Sequence, residues 1–167
     1  MEIERKFVIE KLPDDINEYP SKFIEQAYIL RDPVIRIRRA GDHYLLTVKG
    51  NGKMAREEHE MPLTEESYND LMAKTEGNII RKKRYFIPYP PFTIELDVFE
   101  EPFDDMMMAE VEFLSVREAE DFVPPEWFGE DVTQDSRYHN SSMSNTYYPG
   151  NSFRRGRPME NDSHETE

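Results

Sequence analysis

The chain has 167 residues, enough for one domain of ordinary size with a little left for tails or loops. Its 21 Lys and Arg against 35 Asp and Glu leave a formal net charge of −14, so nucleic acid and anionic membrane surfaces, which would repel it, are poor partners. It has no cysteine, which excludes disulfides, thiolate metal sites and cysteine nucleophiles together. Charged residues make up 34% of the chain, against about 25% in ordinary domains. With only 37% apolar residues, a conventional core is thin unless many of these charges occupy a special place. The opening residues Met1-Glu2-Ile3-Glu4-Arg5-Lys6 are too charged for a signal peptide, and no apolar run nears the roughly 18 residues that span a bilayer. A soluble cytoplasmic protein with no membrane partner is the expectation.

In chain order, short alternating segments bounded by turn residues predict antiparallel strands over 2–9, 23–30, 34–39, 43–49, 56–63, 79–87, 92–99 and 108–114. Turn signals separate them at Arg31-Asp32-Pro33, Ala40-Gly41-Asp42, Gly50-Asn51-Gly52, Pro88-Tyr89-Pro90-Pro91 and Glu101-Pro102. Eight strands are enough to close a barrel. Between the fifth and sixth, Thr64 is an N-cap, Glu65 and Glu66 fill a first helical turn, Tyr68, Leu71, Met72 and Thr75 share one face, and Gly77 is a natural stop. A second short helix is expected from Ser115, with Glu118 completing a capping box and Val116, Ala119, Phe122 and Val123 turned inward before Pro124-Pro125. From residue 146 to 167 there is no period and many breakers, which reads as a disordered tail after a domain over 1–145.

The informative pattern is charge at period two: Glu2, Glu4 and Lys6; Arg36 and Arg38; Arg56, Glu58 and Glu60; Lys82 and Arg84; Glu95 and Asp97; Glu110 and Glu112. Residues two apart in a strand share a face, and the residues between these are strongly apolar: Ile3, Ile35, Ile37, Ile94, Leu96, Val98, Val111 and Phe113. Lys49 continues the rule. One reading is an ordinary sheet with its charges in water. The other is an inverted one: a closed barrel whose charged face lines the lumen while helices and loops cover its apolar outside. The second is favoured because nearly every strand carries such a pair, where a merely solvated face would mix in Thr, Ser and Gln. The lumen would then hold eight carboxylates and seven cations, and near-neutrality is what makes such burial tolerable. Carboxylates suit Mg²⁺ or Mn²⁺ and the cations suit phosphate oxygens, so the combination suits a metal-bound polyphosphate.

Other chemistry is poorly supported. His43, His59, His139 and His164 lack metal-ligand spacing and read as surface or structural residues. Ser141, Ser142 and Ser144 have no convincing histidine partner for nucleophilic catalysis. Trp127 and Phe128, after the double proline, are expected to pack beneath the barrel end.

Glu2-Ile3-Glu4-Arg5-Lys6, followed in order by Gln26-Ala27-Tyr28, Ile35-Arg36-Ile37-Arg38, Leu46-Thr47-Val48-Lys49, Arg56-Glu57-Glu58-His59-Glu60, Lys82-Lys83-Arg84-Tyr85, Glu95-Leu96-Asp97-Val98-Phe99 and Ala109-Glu110-Val111-Glu112, resembles the CYTH family, or triphosphate tunnel metalloenzymes. Asp131-Val132-Thr133 and Arg137-Tyr138-His139-Asn140-Ser141 look like that family's closing segment. Ala27 stands where many relatives have Gly, Lys83 where a small polar residue is common, and Met106-Met107-Met108 fills a variable loop; none removes a lumen charge.

The resemblance implies a mainly β (α+β) fold, a closed eight-stranded antiparallel barrel with a few short covering helices, binding a small-molecule triphosphate with Mg²⁺ or Mn²⁺ as cofactor. It implies metal-side roles for Glu2, Glu4, Glu58, Glu60, Asp97, Glu110 and Glu112, with Glu95 beside them. It implies phosphate binding by Lys6, Arg36, Arg38, Lys49, Arg56, Lys82 and Arg84, and catalytic roles for Glu4, Lys6 and Lys82. The expected reaction is in-line attack of water on a terminal phosphoryl group, helped by metal and by preorganised charge. The alternatives are a class IV-like adenylate cyclase and a polyphosphate- or nucleotide-binding module without turnover. The oligomeric state is open, a homodimer among the options.

Overall fold

The computed structural model describes residues 1–145, together with the backbone of residues 153, 154, 157 and 158. The predicted disordered tail lies outside the described residues, apart from a two-residue antiparallel pairing of Phe153–Arg154 with Arg157–Pro158.

Nine strands form one antiparallel sheet: β1 (Glu2–Val8), β2 (Ser21–Arg31), β3 (Val34–Ala40), β4 (His43–Lys49), β5 (Ala55–Arg56), β6 (Glu58–Leu63), β7 (Glu76–Tyr89), β8 (Phe92–Phe99) and β9 (Met107–Glu112). Their spatial order is β5-β1-β9-β8-β7-β2-β3-β4-β6. The ninth strand arises because the predicted segment 56–63 is interrupted at Glu57. On one side of the break Arg56 pairs with Glu2 and Ala55 with Ile3; on the other Glu58 pairs with Lys49 and Leu63 with Tyr44. One stretch of chain thus bonds to both edges of the sheet, and the barrel is nearly closed. At the break the Glu57 carbonyl accepts a hydrogen bond from the Gly50 amide at 3.0 Å, so the interruption is held by backbone. Closure removes the open edges that a long antiparallel sheet would otherwise present.

The apolar residues interleaved with the charges face outward and are covered. Ile3, Phe7, Ile94, Leu96, Val111 and Phe113 build one core with Ala119 and Phe122, under helix α2 (Val116–Asp121) and the segment carrying Trp127 and Phe128. The Phe128 ring lies 4.8 Å from that of Phe7, as expected of packing at the barrel end. Ala27 and Ile37 pack with Tyr68 of helix α1 (Glu65–Met72), joined by the half-buried Tyr44, Leu46, Leu71 and Ile79. Both predicted caps form: Thr64 Oγ1 accepts from the Ser67 amide at 3.1 Å and Ser115 Oγ from the Glu118 amide at 3.1 Å.

Two expectations are corrected here. Val116 and Val123 are 39% and 75% exposed, because the α2 segment presents only Ala119 and Phe122 to the core before the chain extends. Gly77 does not stop α1, which ends at Met72; it lies in β7 at φ 82°.

The role of Gly77 is to admit a neighbour. Helix α3 (Asn140–Met143) and the residues around it fold back against β2 and β7, where the Ser144 carbonyl accepts from the Asn78 amide at 2.6 Å and from Arg31 Nη2 at 3.1 Å. A Cβ on Gly77 would collide with that carbonyl. The same fold-back inserts Tyr138 and Met143 among Val8, Tyr28, Val34, Ile80, Phe99 and Met108. Five of these strand residues share the parity of the lumen charges on their own strands and so point inward, and Tyr28 of β2 reaches the lumen beside them, at one end of the barrel. That end is stopped by an apolar plug. Gly77→Ala combines a positive φ with the collision and is expected to cost about 1–3 kcal/mol, read as a lowered urea midpoint at unchanged m-value.

Candidate active site

Beyond the plug the lumen is a cavity of about 360 Å³ lined by seven carboxylates and seven cations. Of the predicted lumen charges only Asp97 is absent from its wall. The acidic side comes from β1 (Glu2, Glu4), β9 (Glu110, Glu112), β6 (Glu58, Glu60) and β8 (Glu95); the basic side comes from β3 (Arg36, Arg38), β4 (Lys49), β7 (Lys82, Arg84), β5 (Arg56) and Lys6 of β1. Register brings them together: Glu4 lies opposite Glu112, Lys6 opposite Glu110, Glu95 opposite Glu110 and Arg84 opposite Asp97. Glu60 and Glu112 are exposed and mark the open mouth.

The cations fall into two groups. In the first, Lys6 Nζ lies 3.2 Å from Glu110, Lys49 Nζ 2.8 Å from Glu2, and Arg56 Nε 3.8 Å from Glu2. Arg84 contacts Glu95 at 2.8 Å and holds Asp97 through two bonds of 2.7 and 2.9 Å; Lys82 Nζ meets the same Asp97 at 2.8 Å. Asp97 is thus a buried counterion behind the cavity wall, with both oxygens engaged by Lys82 and Arg84. The second group has no carboxylate within ion-pair distance among the described residues. Arg38 Nε donates to Gln26 Oε1 at 2.9 Å, while Arg36 Nη2 donates to Thr47 Oγ1 at 3.3 Å and its buried Nε has no partner. Burial, with repulsion from Arg36 and Arg84, lowers the Arg38 pKa to about 10, a sign of positive charge in excess at this point. Burial likewise draws Lys82 down to about 7 despite Asp97. An orphaned guanidinium N–H beside a crowded cation pair is a place for an anion with several oxygens.

Across the cavity negative charge is in excess. Burial, then repulsion from Glu110 and Glu2, raises Glu4 to about 8. Glu58 is raised to about 7 by a hydrogen bond shared with Glu2 and by burial. Burial also raises Glu2, but the Glu58 hydrogen bond and the Lys49 ammonium outweigh it and hold Glu2 at about 2. Among the described residues no group of three or more acidic or histidine side chains stands ready-made for a metal ion. The donor chemistry nevertheless fits a hard divalent cation: the donors are carboxylate oxygens, and their mutual repulsion is what a double positive charge would relieve.

The cavity also contains residues to which the sequence assigned no role. His139, Asn140 and Ser141 reach it from the closing segment, and Tyr28 reaches it from β2. His139, expected to be structural or at the surface, lies in the wall with Nε2 3.5 Å from the Thr133 carbonyl, and burial and Lys6 lower its pKa to about 4. Asn140 Oδ1 accepts from Lys82 Nζ at 3.0 Å. Only the order of the motifs pointed to this segment, since polar residues on a loop carry no period.

Residues 1–148 match the CYTH domain. An inorganic triphosphatase of Nitrosomonas europaea is 38% identical over 148 residues, covering 86% of this chain and 96% of that protein. An inorganic triphosphatase of Acetivibrio thermocellus is 32% identical over 153 residues, covering 88% and 95%. The crystal structure of the inorganic triphosphatase NE1496 superposes with a TM-score of 0.64 at 36% identity, covering 86% of this chain and 94% of that one. The inverted barrel and these likenesses agree with the strand motifs, and the chain belongs to the CYTH domain family.

Proposed function

We propose that this chain is a metal-dependent triphosphatase that hydrolyses a phosphoanhydride bond of inorganic triphosphate, with Mg²⁺ or Mn²⁺ as the metal and in the cytoplasm. The observation that carries the reading is the separation of uncompensated charge within one small cavity: Arg36 and Arg38 without carboxylate partners among the described residues on one side, and on the other Glu4, repelled by Glu110 and Glu2, with Glu58, repelled by Glu2. The names of the two curated relatives support the choice of substrate. The cavity offers little to read a nucleoside. Its aromatic lining consists of His139 and of Tyr28, which is 2% exposed with its hydroxyl accepting from Gln26, so neither the cyclase nor a nucleotide-binding module gains support.

In this reading Arg36, Arg38, Lys82 and Arg84 bind and orient the phosphate oxygens, with Lys6, Lys49 and Arg56 completing the clamp. Glu2, Glu4, Glu58, Glu60, Glu110 and Glu112 would hold the metal, which supplies Lewis-acid charge at the reacting phosphate. We assign Asp97 to positioning Lys82 and Arg84, because its oxygens already accept from both. Lys82, at about 7, can exchange a proton near neutral pH and is the candidate acceptor from the attacking water. The fixed guanidinium and ammonium groups need little rearrangement as charge moves to the leaving oxygen, and that preorganisation supplies most of the acceleration.

Three outcomes test the proposal. Orthophosphate should be released from tripolyphosphate with Mg²⁺ or Mn²⁺, faster than from ATP or thiamine triphosphate, and excess EDTA should stop it; no release from tripolyphosphate would refute the proposal. Arg38→Ala and Glu4→Gln should each lower kcat/KM by about 10²–10³-fold while the melting temperature stays close to that of the parent, because each removes a lumen charge and no core volume. Metal binding needs the ionised carboxylates, and Glu4 and Glu58 are raised, so Mg²⁺ affinity should climb with pH and level off above about 8, with proton release seen by calorimetry in buffers of different ionisation heat. A flat profile would remove Glu4 and Glu58 from the metal side.

A further inference from the structure

Most cations in the cavity are held by carboxylates, which position them and also cancel their charge. Arg38 has no carboxylate partner among the described residues, Lys82 pairs with Asp97 behind the wall, and the two cations are linked to each other in a different way. Arg38 Nε donates to Gln26 Oε1 at 2.9 Å; Gln26 Nε2 donates to Asn140 Oδ1 at 3.0 Å and to the Tyr28 hydroxyl at 3.3 Å; and Lys82 Nζ donates to the same Asn140 Oδ1 at 3.0 Å. Two side-chain amides therefore run in series between two cations on different strands, β3 and β7. The amide orientations are forced, since two N–H donors converge on one atom of Asn140, which must be its oxygen, and Gln26 must face its oxygen to the guanidinium. Gln26 is fully buried beneath the cavity wall, whereas Asn140 lies in the wall, at the start of α3.

We propose that Gln26 and Asn140 are positioning residues, a neutral amide bridge that fixes the spacing of Arg38 and Lys82, leaves Arg38 without a countercharge and adds none to Lys82 beyond Asp97, so that both can face the substrate's phosphate oxygens. The proposal rests on the triphosphate reading of this cavity. A carboxylate at either place would accept the same bond from the cation while neutralising it, as Glu110 does for Lys6 and Glu2 for Lys49. An apolar residue would leave a buried N–H unsatisfied and the long side chain free to change rotamer. A neutral carbonyl oxygen satisfies the donor and adds no countercharge: Arg38 stays uncompensated, and Lys82 keeps Asp97, behind the wall, as its carboxylate partner. The bridge also makes the closing segment part of the phosphate clamp, since one of its two members comes from that segment.

The test compares tripolyphosphate binding, by calorimetry in EDTA so that no turnover occurs, with thermal unfolding of the same proteins. Asn140→Asp keeps a shape and an oxygen that can accept from both Lys82 and Gln26, so its melting temperature should match or exceed that of the parent while tripolyphosphate binds at least about tenfold more weakly. Gln26→Met removes the buried link without entering the cavity and should also weaken binding, with Asn140→Ala weakening it to a similar degree. Because the two amides form one bridge, the Gln26→Met/Asn140→Ala double variant should bind no worse than the weaker single variant. Parent-like affinity in Asn140→Asp, or additive losses in the double variant, would overturn the bridge. A parent protein that binds tripolyphosphate without hydrolysing it would instead overturn the proposed activity, while the affinities would still decide the bridge.

Discussion

A closed sheet that turns its charged face inward is stable only if that interior is close to neutral, because each unpaired buried ion costs several kcal/mol even after relaxation. Seven carboxylates facing seven cations meet this condition, and the rest of the architecture follows from it. The apolar residues of the same strands must face outward, so the barrel needs cover, and α1, α2 and the segment around Phe128 supply it. Among the described residues the barrel has no central hydrophobic core; its apolar material lies in two outer patches and one plug. Overall neutrality leaves the local distribution free, and it is the local imbalance, positive at Arg36 and Arg38 and negative at Glu4, that gives the cavity its chemistry.

Much of this was legible because a strand's period is two and a charge is conspicuous. Glu2, Glu4 and Lys6, or Arg36 and Arg38, could be put on one face from spacing alone, and repetition over so many strands indicated that the face was inside. What spacing could not tell was depth. Asp97 has the same parity as Glu95, yet Lys82 and Arg84 draw it behind the wall while Glu95 stays in it, a distinction made by cross-strand partners and not by its own strand. The break at Glu57 was equally hidden, since Arg56, Glu58 and Glu60 keep charge at period two across it and only the need to reach two edges at once splits the segment.

The closing segment was the least legible part. Nothing in its local sequence says that Tyr138 and Met143 fill the end of a barrel, or that Asn140 accepts a bond from a lysine on β7. A glycine after an amphipathic run ordinarily stops a helix, but the actual constraint at Gly77 is a carbonyl arriving from residue 144, a contact no local pattern can announce. The exposed Val116 and Val123 show the converse: helical spacing alone does not bury an apolar residue when the helix is a single short turn and a half.

The pairing of β1 with β9, and the return of residues 138–144 onto β2 and β7, also bear on how the molecule is made. β1 cannot be paired along its length until β9 has been synthesised, and the cavity wall is incomplete until Asn140 arrives after it. Until β9 is made, β1 has an unpaired edge and Lys6 lacks Glu110, and contacts that span most of the chain make such a fold slow to settle. The plug and one side of the cavity wall are completed only by the segment carrying Asn140, so a chain truncated before it would keep all nine strands of the barrel and still have an unstopped end and an incomplete cavity.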